Sequence, residues 1–427
     1  MKATIRAAWP LFFGIALLMI GNGLQGTLLG WRASLESFSS MVTGLIMTGY
    51  YLGFLTGSSY TPAIIRNVGH VRVFAAFASL ASTSILVQAI YVTPTVWMIA
   101  RVITGFCYAG LYIVVESWLN DRATNETRGS LFSIYMVISY LAMIFGQWTM
   151  KLADPGSFEL FILVSVLISI SLIPMLLTNS AAPSINESEK ISLLKLFSIS
   201  PLGMFGIFGT GIVHSVVFGM GAVYAARSGL SVQDTVLFIS AYIAGGVLFQ
   251  WPVGMLSDRY DRRVVITIVT FAAALFAFLQ LQLALSPQPM FVLFGFYGGM
   301  SLPLYSLAIS HTNDRLKPEQ MIGASSGLIM LYGVGSSLGP LSVGLVLERL
   351  GDGGFFSYLS LIHALIGVMA LIMMSMRKAV PIEEQTHFVP VPSRPTAVAA
   401  EAVAQIVEEE QHQQEEEGGA NQAGAAK

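Results

Sequence analysis

The sequence predicts an all-α membrane protein in which twelve transmembrane helices form two pseudo-symmetric six-helix bundles. Three observations lead to this fold class: a shortage of charged residues, a series of apolar segments and an internal repeat. Hydrophobic residues make up 54% of the chain and charged residues only 11%, whereas soluble domains carry about 25% charged residues. Because so few charges cannot cover a large soluble exterior, we expect the apolar excess to face lipid.

Twelve segments are long and apolar enough to cross a bilayer, which requires about 20 mainly apolar residues. The first of them exceeds the apolar core of a signal peptide, about 7–15 residues, so we interpret it as a span. Short polar or proline-containing stretches separate the segments. The predicted spans are residues 8–30, 40–62, 72–93, 95–119, 129–150, 158–178, 201–225, 235–256, 264–285, 290–311, 324–347 and 355–376.

The spans divide the chain into four regions. Residues 1–178 form the predicted N-terminal bundle, 179–200 a cytoplasmic linker and 201–376 the C-terminal bundle. After residue 378 the chain has nine glutamates but only two basic residues, with many alanines and glutamines. That composition is typical of disorder, so we predict that residues 377–427 form a disordered acidic cytoplasmic tail.

Basic residues in the loops predict the orientation of the spans, because cytoplasmic loops carry an excess of lysine and arginine. If both termini are cytoplasmic, fifteen basic residues lie inside and four outside, leaving the distal tail aside. The four outside are Arg32, Lys151, Arg227 and Arg349. We therefore expect both termini and the linker to be cytoplasmic.

An internal repeat relates the two halves of the chain. Seven residues recur in register at an offset of 193 positions, which chance does not readily produce. The matches lie at the same ends of spans four and ten, as a parallel six-plus-six duplication requires. The first set is Leu111, Tyr112, Ser117, Asn120, Asp121, Arg122 and Glu126, and the second is Leu304, Tyr305, Ser310, Asn313, Asp314, Arg315 and Glu319.

Span eight ends in a glycine followed by an aspartate and a cluster of arginines, within residues 254–263. The glycine permits close backbone approach, and the arginines can bind helix C-terminal carbonyls. This loop resembles the signature loop of the major facilitator superfamily, and the likeness covers roughly residues 8–376. The resemblance implies that the loop locks the cytoplasmic side in the outward-facing state; the alternative is that its arginines only set topology. The implied gating residues are Gly254, Asp258, Arg259, Arg262 and Arg263.

The corresponding loop of the first half departs from that pattern, since Thr61 stands where the family has an aspartate. A lock by that aspartate is therefore not expected in this half. The sequence is most similar to the YcaD-like branch of bacterial transporters at three places. They are Thr61 with His70, residues 116–120 and residues 303–307. The resemblance implies a multi-pass protein of the bacterial inner membrane.

Span four carries the principal site candidates. Arg101 and Gly105 resemble the family's Arg-x-x-x-Gly motif, and Tyr108 and Glu116 share their helix face. A cation within a spanning helix costs about 2.5–3.5 kcal/mol on insertion scales, so we expect Arg101 to face a cavity or a partner.

The repeat strengthens a functional interpretation of both charges in span four. Phe294 and Ile309 stand at the positions equivalent to Arg101 and Glu116, so only one half carries the charges. Two structural alternatives remain: Arg101 snorkels outward, or Glu116 pairs with a loop arginine, Arg66 or Arg72.

Other spans add polar candidates for a central cavity. Asn22 and Gln25 are neighbours on span one, because they lie three residues apart. His214 lies near the centre of span seven, where an imidazole either carries a proton or bonds to a neighbouring helix. Tyr305 on span ten is a candidate for aromatic lining.

These features predict a secondary active transporter that works by alternating access, coupled to protons, and that exports a small amphipathic compound. Uptake of a small metabolite is the alternative within this class, and a transport-inactive sensor or scaffold acting through the tail is the alternative outside it. We find no nucleotide loop, metal spacing or nucleophile motif, so we expect no enzyme activity, cofactor, metal or nucleic acid partner. The expected partners are a small molecule, protons and the lipid bilayer, and we expect a monomer.

Overall fold

The computed structural model describes residues 8–176, 191–283, 286–391, 396, 398–399 and 401–407, without the side chains at 125, 126, 318 and 319. The first half contains α1 (Trp9–Leu35), α2 (Ser40–Val68), α3 (His70–Ile90), α4 (Pro94–Arg122), α5 (Asn125–Thr149) and α6 (Glu159–Leu176). The second half contains α7 (Leu193–Ile199), α8 (Pro201–Arg227), α9 (Val232–Arg259), α10 (Arg262–Gln282), α11 (Pro287–Ser301), α12 (Pro303–Asn313), α13 (Pro318–Leu350) and α14 (Gly353–Met376).

Eleven helical stretches of the described chain are long and apolar enough to cross a membrane, with α11 and α12 taken together as one. The predicted span missing from this set is α2, which has 29 residues. Its glycines, serines and threonines lower its mean hydropathy. The all-helical architecture is therefore confirmed, whereas the count of twelve spans stays a prediction.

The tenth predicted span is not one continuous helix. It divides into α11 and α12, with Leu302 between them and Pro303 at the start of α12. Proline lacks the backbone N–H that would continue the helical hydrogen bonds, and it is favoured in the first turn of a new helix. Proline likewise begins α4 and α8, at Pro94 and Pro201.

Helix packing repeats between the halves. In the first half α1 packs on α5, α2 on α4, and α3 on α6. In the second half the equivalent pairs are α8 with α13, α9 with α11, and α10 with α14. The sequence duplication thus has a counterpart in the helix contacts. The boundary predicted at residue 178 and most of the predicted linker lie outside the described residues, and the rest of the linker includes α7.

The halves meet mainly through α2 with α13 and α1 with α8. We call the end of the molecule where α4, α9, α12 and α14 terminate the tail face, and the other end the opposite face. Near the opposite face α2 and α13 approach so closely that a Cβ added at Gly44 would lie 2.3 Å from the Pro340 carbonyl oxygen. Deeper along the same contact, Thr48 donates a hydrogen bond to the Ser337 carbonyl (3.1 Å). The structure is therefore closed at the opposite face.

The described part of the tail differs from the disorder that its composition predicts. Residues 382–384 form a short 3₁₀ turn, and residues 401–407 are helical. Ala402 and Val403 are 0% and 3% exposed. Alanine and valine carry little side-chain entropy and pack closely, so this short segment can be buried despite its acidic surroundings. The glutamate-rich residues 408–427 lie outside the described residues.

Candidate functional site

A polar cluster lies at the centre of the first half, between α1, α2 and α4. The side-chain amide of Asn22 donates to the hydroxyl groups of Tyr50 (3.2 Å) and Tyr112. The guanidinium of Arg101 lies 4.4 Å from the centroid of the Tyr50 ring, a cation–π geometry. Arg101 is 5% exposed, so it faces this cluster and does not snorkel outward.

Tyr108 adds an aromatic ring to this cluster, and Gln25 of α1 is a further buried polar residue of the first half. The Tyr108 ring is 5.7 Å from Tyr112 and 6.3 Å from Tyr50, so it extends the aromatic wall. Gln25 is fully buried, and neither polar atom of its amide has a hydrogen-bond partner among the described residues. Because buried amides are nearly always hydrogen-bonded, Gln25 is suited to contact a bound solute or water.

A second polar cluster lies in the second half, between α8, the α11–α12 break and α13. Nδ1 of His214 lies 3.1 Å from the Tyr332 hydroxyl, and Nε2 lies 3.4 Å from the Ser301 carbonyl oxygen. The Tyr305 ring packs 4.8 Å from that of Tyr332. The Tyr305 hydroxyl is buried without a hydrogen-bond partner among the described residues. The structure therefore brings His214 and Tyr305 together through Tyr332, which the sequence analysis did not single out.

Tyr242 adds a further phenol group to the second cluster. Tyr242 of α9 lies 3.3 Å from the Ser301 hydroxyl. Its helix, α9, packs against α5 of the first half. Each half thus carries one cluster of phenol rings and hydroxyls, and α9 lies where the halves meet.

Glu116 is fully buried nearer the tail face, and its partners are not the loop arginines considered from the sequence. Its carboxylate accepts hydrogen bonds from the Tyr135 hydroxyl (2.8 Å) and from the Thr396 hydroxyl of the tail. The backbone N–H of Ala399 donates to the Thr396 hydroxyl (3.4 Å). Glu116 therefore lies apart from the Arg101 cluster and connects α4 to the tail.

The predicted gating loop forms a buried ionic cluster at the tail face. Arg262 is 1% exposed and donates to the Asp314 carboxylate at 2.6 Å and to the Asp258 carboxylate at 3.4 Å. It also donates to the Ser257 hydroxyl (2.7 Å) and to the Thr386 carbonyl (2.6 Å). In this structure the cluster links α9, α12 and the tail within the second half; it does not bridge the two halves.

The other three predicted gating residues have different surroundings. Arg263 pairs with Asp261 (2.6 Å) and donates to the Arg377 carbonyl at the end of α14 (2.6 Å). Arg259 is exposed and forms no ion pair among the described residues. A Cβ added at Gly254 would lie 2.4 Å from the ring of Phe388, so this glycine makes room for the tail and not for another span.

Sequence reasoning missed Asp314, the main partner of Arg262, as a site residue. A signal for it was present, because Asp314 belongs to the repeated Asn-Asp-Arg triplet and matches Asp121. Thr386 carried no comparable signal. Within the described ranges, no three His, Cys, Asp or Glu side chains converge as metal ligands would.

Comparisons with known proteins agree with this arrangement. The family model of the Major Facilitator Superfamily matches residues 11–311 and 229–406. The MFS-type transporter YcaD of Escherichia coli is 25% identical over 359 residues, which cover 83% of this chain and 93% of YcaD. The resemblance to the YcaD-like branch is thus confirmed.

Two solved structures share the fold. The nucleoside transporter NupG has a TM-score of 0.72 at 15% identity, covering 88% of this chain and all of NupG. A bacterial homologue of the human lysosomal transporter Spinster, in an inward-facing and unoccupied conformation, has a TM-score of 0.63 at 14% identity and covers 95% of each chain.

Proposed function

The chain belongs to the major facilitator superfamily, and we propose that it is a secondary active transporter for a small amphipathic molecule. The family establishes membrane transport as the activity. The substrate, the direction and the coupling ion are proposals. One observation carries the first of them: the two polar clusters, one in each half, which contain tyrosines, buried amides and one arginine.

The chemistry of these clusters favours a planar or aromatic compound that carries hydrogen-bonding groups. Tyrosine rings such as Tyr50 and Tyr108 offer stacking surfaces, and Arg101 offers a fixed cation for an acceptor or anionic group. Gln25 and the Tyr305 hydroxyl supply buried hydrogen-bonding atoms that no described residue satisfies. NupG, which shares this fold, is a nucleoside transporter, and a nucleoside combines a flat base with several hydroxyls. Nucleoside-like compounds therefore head the substrate panel.

Alternating access requires that one face open while the other closes. The contacts of α2 with α13 support a conformation closed at the opposite face, which we assign to the periplasm on the basis of the loop charges. We propose that the Asp258–Arg262–Asp314 cluster rearranges as the tail face closes. Charge-assisted hydrogen bonds are strong enough to stabilise one discrete arrangement over another.

Proton coupling is the proposed energy source, with Glu116 and His214 as the candidate carriers. Both are buried, and each is hydrogen-bonded to a tyrosine hydroxyl, Tyr135 for Glu116 and Tyr332 for His214. Export is the proposed direction, and uptake of a metabolite is the alternative.

The test is a flux assay with purified protein in liposomes under an imposed pH gradient. The panel contains nucleosides, aromatic amines and other amphipathic compounds. Arg101→Leu should fold normally, because it removes a cation from the membrane interior, yet its flux should fall at least tenfold. Arg32→Leu is the matched control, since Arg32 pairs with Glu36 near the opposite face, and its flux should be retained.

Reversing the gradient distinguishes export from uptake, and abolishing it tests proton coupling. Full flux in a folded Arg101→Leu variant would remove this residue from the site. Absence of any gradient-driven flux across the panel, with intact folded protein, would count against the proposed substrate class.

A further inference from the structure

The tail crosses the tail face along a course defined by specific contacts. After α14 the backbone N–H of Phe388 donates to Asp258 (2.8 Å), and Thr386 bonds to Asp314 through both its N–H and its hydroxyl (2.9 Å each). The N–H of Val391 then donates to the Ser306 hydroxyl of α12 (2.9 Å). The tail thus runs from the gating cluster towards the second polar cluster, around His214, Tyr305 and Tyr332.

Its last described residues lie between the two halves. Thr396 bonds to Glu116 of the first half, as described above. Val403, Ala404 and Val407 pack in one apolar cluster with Tyr305 and Tyr332 of the second half. The segment therefore contacts a candidate coupling residue on one side and candidate substrate-lining residues on the other.

The burial of this segment is too complete for a loose appendage. Ala399 and Ala402 are 0% exposed, Ala404 is 1% and Val407 is 2%. Polar residues are fewer than apolar ones between positions 396 and 407; they are Thr396, Glu401 and Gln405. A helix with an apolar stripe of small residues can enter a narrow cleft between other helices.

We propose that the described end of the tail, residues 396, 398–399 and 401–407, is an intramolecular inhibitor that binds in the cleft at the tail face and blocks access to the polar clusters. While the segment is bound, the halves cannot close around Glu116 and Tyr305, so the transport cycle stops with the opposite face shut. Release of the segment permits the cycle. This proposal rests on the transporter function proposed above, because it concerns regulation of that same site.

The first test measures binding of the tail without any substrate. Cys107 is the single cysteine, so a Cys107→Ala background allows one new cysteine to be followed. In purified full-length protein, Ala402→Cys should react with a bulky polar maleimide about tenfold more slowly than Ala379→Cys, which lies on an exposed part of the tail. Equal rates at the two positions would overturn the docked tail.

The second test asks whether the tail covers the site. In the same background, Tyr305→Cys should be protected in the full-length chain and should react faster when residues 392–427 are deleted. Deletion of residues 408–427 alone is the control, since it retains the inhibitory segment, and protection should persist. If the longer deletion leaves the labelling rate of Tyr305→Cys unchanged, the segment does not block the path and the proposal is wrong.

The third test measures flux with any substrate found for the full-length chain or the deletion variant. Ala402→Glu places a charge at a buried position, weakening docking by a factor of ten or more. Flux should therefore rise severalfold, whereas the matched Ala379→Glu should leave flux unchanged. A synthetic peptide of residues 396–407 should inhibit the variant that lacks residues 392–427. Unchanged flux in folded Ala402→Glu, or loss of flux in both Ala402→Glu and the deletion variant, would overturn the inhibitory role.

The labelling tests also separate this proposal from the transporter function on which it rests. If protection is observed but no compound is carried, the proposed substrate is wrong while tail docking stands. If compounds are carried but neither protection nor activation is observed, the inhibitor is wrong while the transporter stands.

Discussion

Replacement of Asp314 by asparagine tests the buried ion pair at the tail face. Both side chains of the Arg262–Asp314 pair are 1% exposed, and the carboxylate accepts one hydrogen bond from Arg262 and two from Thr386. Asparagine has nearly the same shape, so the substitution removes the charge without leaving a cavity. Arg262 is then left buried with a weaker partner.

The expected loss of stability follows from these contacts. Removing one partner of a buried ion pair typically costs about 3–5 kcal/mol. The loss here should be smaller, because Asp258 remains 3.4 Å from Arg262 and an amide oxygen still accepts a hydrogen bond. We therefore expect the free energy of unfolding to fall by about 2–3 kcal/mol.

The assay is reversible unfolding of purified protein in mixed micelles, followed by far-UV circular dichroism. Asp258→Asn is the matched control: its carboxylate is 31% exposed and lies farther from Arg262, so its loss should be about 1 kcal/mol or less. If Asp314→Asn costs no more than Asp258→Asn, Asp314 is not the principal partner of Arg262 and this account of the cluster is refuted.

Three further predictions concern the gate, the tail and the topology. Asp258→Asn should retain expression and folding but reduce flux, and normal flux with unchanged accessibility of the tail face would contradict a gating role. Burial raises the pKa of Glu401 to about 7, so the docked tail binds a proton more tightly than the released tail. Docking should therefore be strongest below the ordinary carboxyl pKa of about 4.3, and it should weaken as the pH rises to about 7. The measurement is the maleimide labelling rate of Ala402→Cys relative to that of Ala379→Cys, which should increase at higher pH. If this increase persists in the Glu401→Gln variant, another group causes the pH dependence. Reporter fusions at Ser184 and after Arg377 should both read cytoplasmic, and a periplasmic signal from either would disprove the predicted topology.

Much of the architecture was predictable because it depends on local composition. Apolar content and span length identify helices that must lie in a membrane, since only such helices satisfy their backbone hydrogen bonds within lipid. The repeat at 193 positions anticipated the equivalent helix pairs of the two halves. The family signature directed attention to residues 254–263, whose gating role stays a prediction, but it did not indicate Asp314 as the partner of Arg262.

The pairing of site residues depended on contacts between distant parts of the chain, which composition and periodicity do not encode. Arg101 could be placed on a helix face, but its position over Tyr50 follows from the packing of α2 on α4. His214 could be assigned to the centre of its span, whereas its bond to Tyr332 depends on the approach of α8 to α13.

The membrane class, most of the spans, the duplication and the family could be read from the amino-acid sequence alone, because each is expressed in residues close together or at a fixed offset. The contact of Glu116 with Thr396, 280 positions away, and the contact of Arg262 with Asp314 became visible in the folded chain. The fold also buries part of an acidic, alanine-rich tail. Composition reports the average tendency of a segment to be solvated, whereas burial depends on whether a cleft of matching shape and polarity exists elsewhere in the fold.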